Sequence, residues 1–255
     1  MPDVRPTVGL FVTCLVDLMR PAVGFAAVKL LEEAGCDVVV PAGQTCCGQP
    51  AVNSGDTRDA KAVARRVLDA FVAVDYVVVP SGSCAGTIKV HYPELFADEP
   101  DRIEAVADLA ARTYELTTFL NDVRRMPPPA RPFNSLVAYH DSCSGLRELG
   151  IREQPRELLG AMDGLTLTDM NAAEVCCGFG GMFCVKYPDI SEKMVDAKVD
   201  AILESGADTV LGGDMGCLMN IAGRLHRRGS SVTVRHVAEV LAGHGDATPA
   251  IGEAT

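Results

Sequence analysis

The sequence contains no apolar run approaching the roughly 18 residues that a membrane span requires. It also lacks a basic excess: 23 Lys and Arg stand against 34 Asp and Glu, a formal net charge of −11. Non-specific affinity for nucleic acid comes from clustered Lys and Arg, so a nucleic-acid partner is excluded. With ten cysteines in 255 residues, the chain falls well below the density of a secreted disulfide scaffold. Asp3 and Arg5 precede a short apolar stretch ending at Asp17, which makes a poor signal peptide. Together these absences predict a soluble cytoplasmic protein. What is present is ordinary globular composition, 48% hydrophobic and 22% charged, which excludes a disordered chain. The length suits two modest domains or one large one.

A reducing compartment keeps structural bridges from forming, so the cysteines are either scattered core residues or ligands. Their spacing separates the two readings. Cys14, the pair Cys46-Cys47 before Gly48, and Cys84 form one set; Cys143, the pair Cys176-Cys177 before Gly178, and Cys217 form a second. Flanking text repeats with them. VGLFVTC (8–14) matches SLVAYHDSC (135–143), QTCCGQP (44–50) matches EVCCGFG (174–180), and YVVVPSGSC (76–84) matches TVLGGDMGC (209–217). A tandem duplication explains every correspondence. Between the copies lies MPPPARPFN (126–134), an irregular proline-rich linker. The expected organisation is a first domain over 1–125, the linker, a second domain over 135–245, and a tail over 246–255.

Apolar runs predict strands at 7–14, 37–41 and 76–80, with helices opening at Pro21 and over 57–74. In the second copy, strands are predicted at 136–141, 165–170, 208–213 and 232–236. Helices are predicted at 191–205, at 217–228 and through Leu241. Strand–helix–strand alternation implies an α/β fold of two tandem, pseudo-symmetric Rossmann-like halves, each with a parallel sheet. In such a sheet the loops after the strands emerge along one edge, where ligands bind. Cys14, Cys46, Cys47 and Cys84 fall in those loops, and so do Cys143, Cys176, Cys177 and Cys217. Four thiols per half thus converge despite their separation in sequence.

Soft sulfur ligands select zinc, copper(I) or iron–sulfur clusters. Structural zinc normally uses C-x2-4-C knuckles. Adjacent cysteines diverge, which suits a larger cluster better than one small ion. Four thiolates are also the number a [4Fe–4S] centre requires. Gly48 and Gly178 would let the backbone turn closely around such a group. A zinc-binding structural module and a set of buried free thiols remain the competing readings.

The doubled pattern resembles the CCG cysteine-rich domain shared by heterodisulfide reductase and the iron–sulfur component of glycolate oxidase. A denser resemblance covers nearly the whole chain. It includes LFVTCLVD (10–17), CCGQPAVNSGD (46–56), PSGSC (80–84), YELTTF (114–119) and CCGFGGMF (176–183). KYPDISEKMVDAKV (186–199), GCLMNIAGRL (216–225) and RHVAEVL (235–241) complete it. On these residues the chain is similar to the lactate utilization protein A family. That resemblance implies an iron–sulfur electron-transfer subunit of a complex oxidising L-lactate to pyruvate. It also implies a ferredoxin-type iron–sulfur subunit and a third small subunit as partners. The CCG resemblance leaves a glycolate oxidase or heterodisulfide reductase-like complex as the alternative.

The heterodisulfide reductase pattern ends each motif in Cys-x-x-Cys and supplies five thiolates to a non-cubane cluster. Here Ser81 and Asp214 stand at the first position of each terminal pair, leaving four. The simpler expectation is a conventional [4Fe–4S] cluster in each half, two in all. Ser81 and Asp214 are then expected to support the ligands from behind, with direct oxygen ligation as the alternative. His140, late in a strand, is a candidate hydrogen-bond donor to a cluster. Alternation sends its neighbour Asp141 to the opposite face, which argues against a His–Asp dyad. Cys36 precedes the second strand at the far edge and is expected to be an inert core residue; Cys184 is left out of the ligand set. Gly178, Gly180 and Gly181 do not form G-x-G-x-x-G after a strand, and there is no Walker motif. Lactate oxidation normally delivers a hydride to a flavin or nicotinamide. The chain is therefore expected to act as one subunit of an oxidoreductase, not as a complete dehydrogenase.

Overall fold

A computed structural model describes residues 5–127, 129–245 and 247–253. Asp3, Pro128 and the remainder of the predicted tail (246, 254 and 255) lie outside the described residues. The chain forms two parallel sheets of four strands. The first contains β1 (Thr7–Leu10), β2 (Asp37–Val39), β3 (Tyr76–Val79) and β4 (Thr113–Glu115) in the order β2-β1-β3-β4. The second contains β5 (Ser135–His140), β6 (Leu165–Thr168), β7 (Thr209–Gly212) and β8 (Thr233–His236) in the matching order β6-β5-β7-β8. Val8 pairs with Val38 and Tyr76, and Val137 pairs with Leu167 and Thr209, so the two copies repeat in register. The strand order reverses beside β1 and beside β5. Those are the places where a parallel sheet opens a crevice at its carboxyl edge.

β1 and β3 are central and almost continuously apolar, with Val8, Leu10, Val77, Val78 and Val79 fully buried. β2 is an edge strand and shorter than the sequence predicts, because Pro41 cannot donate to a ladder and Val40 leaves the sheet with it. The helix over Thr57–Ala70 stops at Phe71, short of residue 74. There the Arg112 guanidinium takes the Phe71 and Val74 carbonyls, at 2.9 and 2.8 Å. Helix Pro188–Glu204 begins earlier than expected, on a proline at its first position, where the missing N–H costs nothing. The helix Pro100–Ala111 and strand β4 are not foreseen from the sequence; the strand, at three residues, carries no usable period.

One hydrophobic core runs through both halves, from Leu30 and Leu31 on helix Pro21–Glu33 to Leu218 on helix Met215–Arg227 and Val237 beyond β8. Helix Pro21–Glu33 packs on helix Val237–Leu241. Beside that contact Arg20 forms a salt bridge with the fully buried Glu239, Nε to Oε1 at 3.0 Å. Helices Gly82–Gly86 and Cys143–Leu149 approach so closely that a Cβ on Gly82 would lie 2.9 Å from the Gly145 Cα. His236 closes the interface. Its Nδ1 accepts from the Ala238 amide at 3.2 Å, so Nε2 carries the proton and donates to the Pro80 carbonyl, also at 3.2 Å. No helix among the described residues is long and apolar enough to cross a membrane.

Candidate metal centre

Each central strand ends and hands the chain to a helix whose first turn carries a cysteine. Cys14 opens helix Cys14–Met19 behind Thr13, and Cys143 opens its helix behind Ser142. The Ser142 hydroxyl accepts from the Gly145 amide, and Thr13 caps its helix in the same way. Cys84 lies in helix Gly82–Gly86, where the Ser81 hydroxyl accepts from its amide at 3.3 Å. Cys217 is the third residue of helix Met215–Arg227, not the opener that the sequence suggests. The adjacent pairs sit on the loops after β2 and β6.

Gly48 and Gly178 follow the pairs with φ of 86° and 83°. This left-handed backbone points the Gly48 amide at Cys46 Sγ (3.3 Å) and the Gly178 amide at Cys176 Sγ (3.4 Å). The carbonyl of the second cysteine is anchored in both halves. Tyr92 Oη donates to Cys47 at 2.7 Å, and Asn220 Nδ2 donates to Cys177 at 2.8 Å.

The thiols meet. Cys47 Sγ lies 3.2 Å from Cys84 Sγ, and hydrogen bonds link Cys14 to Cys46 and Cys46 to Cys47. In the second half, bonds run from Cys143 to Cys176, from Cys176 to Cys177, and from Cys177 to Cys217. Hydrogen bonds from Cys14 and Cys47 pull the Cys46 thiol down to about 2. Cys14 is pushed up by its bond to Cys46 and then by burial; Cys143 is pushed up likewise by Cys176 and burial. Four sulfurs this close cannot all carry negative charge unaided: the first set settles around the one lowered thiol, Cys46, and in the second Cys143, Cys176, Cys177 and Cys217 are all pushed up. A soft cationic group is what lets all four ionise together. The donor chemistry of both sets therefore fits an iron–sulfur cluster, and it fits soft metal ions generally.

A cavity of about 190 Å3 opens beside the first set. Its wall includes Phe179, Met182 and Met215, so the second half roofs the site of the first. The reverse also holds: Asn53 and Ser54 of the first half line the pocket beside Cys176, with Lys186 Nζ 3.4 Å from Ser54 Oγ.

A family model for a cysteine-rich domain, CCG, matches residues 8–89 and again 137–222. A lactate utilization protein A of Exiguobacterium is 49% identical over 92% of this chain and 97% of its own. The lactate utilization protein A of Bacillus subtilis is 48% identical over 92% and 98%. The chain belongs to the lactate utilization protein A family. The fold itself recurs in the crystal structure of a hypothetical protein from Helicobacter pylori, at a TM-score of 0.64 and 12% identity. That match covers 99% of this chain, which spans half of the Helicobacter chain.

Within this member of the lactate utilization protein A family, Ser81 and Asp214 meet each other. Asp214 Oδ1 accepts from the Ser81 and Ser83 hydroxyls at 3.2 and 3.0 Å, and Oδ2 accepts from the Ser83 amide at 2.9 Å. Burial pushes the Asp214 carboxyl up, against those hydrogen bonds. Behind it, burial raises Glu115 to about 7, although Oε2 accepts from the Thr117 amide, the Thr117 hydroxyl and the Thr118 amide. Asp141 turns away from His140 and forms a bidentate pair with Arg156, 2.8 Å on each side. His140 is 1% exposed and lies with the Cys177 and Cys217 sulfurs, all ligand atoms within 4.8 Å of one another.

Cys36 is fully buried before β2, away from both sets, and burial raises its thiol. Cys184 bonds the Gly181 carbonyl at 3.4 Å. Sequence reasoning missed Lys198 and Glu115. Lys198 carried a signal: it sits on the buried face of its helix with Ser191, Val195, Val199 and Ile202. Glu115, in a strand of three residues, carried none.

Proposed function

We propose that this chain is the iron–sulfur electron-transfer subunit of a cytoplasmic complex that oxidises L-lactate to pyruvate. In this reading Cys14, Cys46, Cys47 and Cys84 hold one [4Fe–4S] cluster, and Cys143, Cys176, Cys177 and Cys217 hold a second. The two domains are residues 1–125 and 135–245. The observation that carries the proposal is the doubled convergence of four thiols at a sheet crevice in a lactate utilization protein A family member. A bound [4Fe–4S] group takes up and releases one electron at a time. The chain's own residues fix the sulfurs and bury those of Cys47, Cys84, Cys177 and Cys217. The Gly48 and Gly178 amides bond the first sulfur of each pair, the Tyr92 and Asn220 anchors hold the second, and each half roofs the other. Lactate oxidation releases two electrons and two protons, so the hydride-accepting step falls to a partner. A ferredoxin-type subunit and a third small subunit complete the proposed assembly.

Iron, acid-labile sulfide and zinc per chain, measured after oxygen-free purification, test the reading. Two clusters require about eight iron atoms with equal sulfide. Cys46→Ser and Cys177→Ser are each expected to remove about half of both. A colourless protein with stoichiometric zinc overturns the proposal. A deletion strain is expected to lose growth on L-lactate; a defect confined to glycolate reassigns the substrate.

A zinc reading is favoured by one observation confined to the second half, the clustering of His140, Cys177 and Cys217. It predicts about four iron atoms and one zinc per chain.

A further inference from the structure

The two sites are equal in sulfur and unequal in what surrounds it. Counting back from Cys14 and Cys143, the position of His140 in the second half is held by Phe11 in the first. Phe11 is fully buried and packs on Phe71, with ring centroids 5.6 Å apart. A second replacement lies on the helices behind the cysteine pairs. A Cβ on Gly48 would face the Ala60 carbonyl and one on Gly178 the Ser191 carbonyl, which aligns Ala60 with Ser191. That register sets Val67 against Lys198. Val67 is fully buried hydrocarbon, and Lys198 is 1% exposed.

The second site therefore gains an imidazole and an ammonium where the first has an aromatic ring and a branched alkyl group. Lys198 Nζ donates to the Ala172 and Ala173 carbonyls at 2.5 and 3.0 Å, fixing the loop that leads to Cys176 and Cys177. Neither ring nitrogen of His140 makes a hydrogen bond of full geometry; the nearest backbone acceptor acting on the ring is the same Ala173 carbonyl that Lys198 holds. A buried imidazole with an unused N–H costs roughly 1–3 kcal/mol, so a use for it is implied. The polar atoms grouped with the ring are the Cys177 and Cys217 sulfurs. As thiolates they accept hydrogen bonds, and N–H donors and nearby positive charge favour the more electron-rich state of a sulfur-bound cluster.

We propose that His140 and Lys198 make the second-half site the more easily reduced of the two. An electron shared between the halves resides there, with the His140 N–H on a cysteine sulfur. His140 is a positioning and tuning residue in this account, not a ligand. The proposal rests on the iron–sulfur reading above. Metal analysis of the wild-type protein judges that reading alone, before any His140 variant is made.

The test is an oxygen-free redox titration followed by electron paramagnetic resonance, with iron counted in each variant. Half-loaded Cys46→Ser protein assigns the second-half centre. Wild type is expected to show two midpoints, the higher belonging to the second half. His140→Phe, which installs the first half's residue, is expected to keep its iron. It should disfavour reduction of that centre at least tenfold, which is 59 mV for a one-electron couple. Lys198→Met is expected to move the same midpoint in the same direction, and His140→Gln, which keeps an N–H donor, to restore most of it. The proposal is overturned if His140→Phe and Lys198→Met leave both midpoints unchanged, or if the shift falls on the first-half centre. Loss of half the iron in both His140 variants also overturns it, by making the histidine a ligand.

Discussion

Ser81 and Asp214 occupy the same place in the two repeats, three residues before the last cysteine, and they are hydrogen-bonded to each other at 3.2 Å. Positions related by the duplication thus meet across the interface between the halves. The Ser81 hydroxyl also caps the helix carrying Cys84, and Asp214 sits at the start of the helix carrying Cys217. One contact therefore ties both terminal cysteines to the same buried carboxylate.

Asp214→Ala leaves the Ser83 amide without its acceptor and the Ser81 and Ser83 hydroxyls with only each other, 3.3 Å apart. Each unsatisfied buried group costs about 1–3 kcal/mol. The expected outcome in urea denaturation of the metal-free protein is a loss of about 3 kcal/mol. Ser81→Ala, which removes a single donor to Asp214 and the Cys84 cap, is expected to cost about 1 kcal/mol.

Gly82→Val tests the closeness of the halves. A Cβ at that position would already lie 2.9 Å from the Gly145 backbone, so further methyl groups force the two short helices apart. Overpacking costs about 1–3 kcal/mol. Thermal unfolding is expected to shift down; an unchanged transition would show that the interface yields freely.

Glu115 gives a pH signature. Its carboxyl is raised to about 7 by burial, so the folded state keeps a proton that the unfolded chain releases near the ordinary carboxylate value. The associated stability is complete below the unfolded value and is lost as pH rises through about 7. Glu115→Gln keeps an acceptor for the Thr117 and Thr118 amides and cannot ionise. Its stability relative to wild type is expected to rise by about 2–3 kcal/mol between pH 4 and pH 8 in parallel denaturation series. A flat difference across that range would refute the assignment.

The arrangement of the sites was legible in the sequence because duplication wrote it twice. Two cysteine sets, two Cys-Cys-Gly turns and matching strand text placed four thiols of each half at one sheet edge. Strand alternation predicts that His140 and Asp141 part; Asp141, just past the end of β5, pairs with Arg156. What stayed hidden was everything made by contact between distant segments. The Ser81–Asp214 bond spans more than 130 residues, and the roof of Phe179 and Met182 over the first cavity depends on how the halves dock. The Cys217 helix begins two residues before the expected start, with Asp214 at its N-cap and the carboxylate turned to Ser81 and Ser83.

Thr13 holds φ of 75° and ψ of 147° immediately before Cys14, a region that a branched side chain enters only under strain. Its counterpart Ser142 is relaxed, with φ of −66°. Thr13→Gly loses a hydroxyl cap worth a few tenths of a kcal/mol and releases about 1–3 kcal/mol of strain. The metal-free variant is expected to be more stable than wild type by about 1 kcal/mol in urea denaturation.

The reciprocal walls limit how the two copies can change. Because Phe179 and Met182 shelter the first set of sulfurs while Asn53 and Ser54 border the second, neither repeat is free to drift on its own account. A substitution in the loop after Cys177 alters the chamber of its sibling as well as its own. The two repeats pack as one unit, and a half excised from it would lose the wall that its sibling lends to its cysteines.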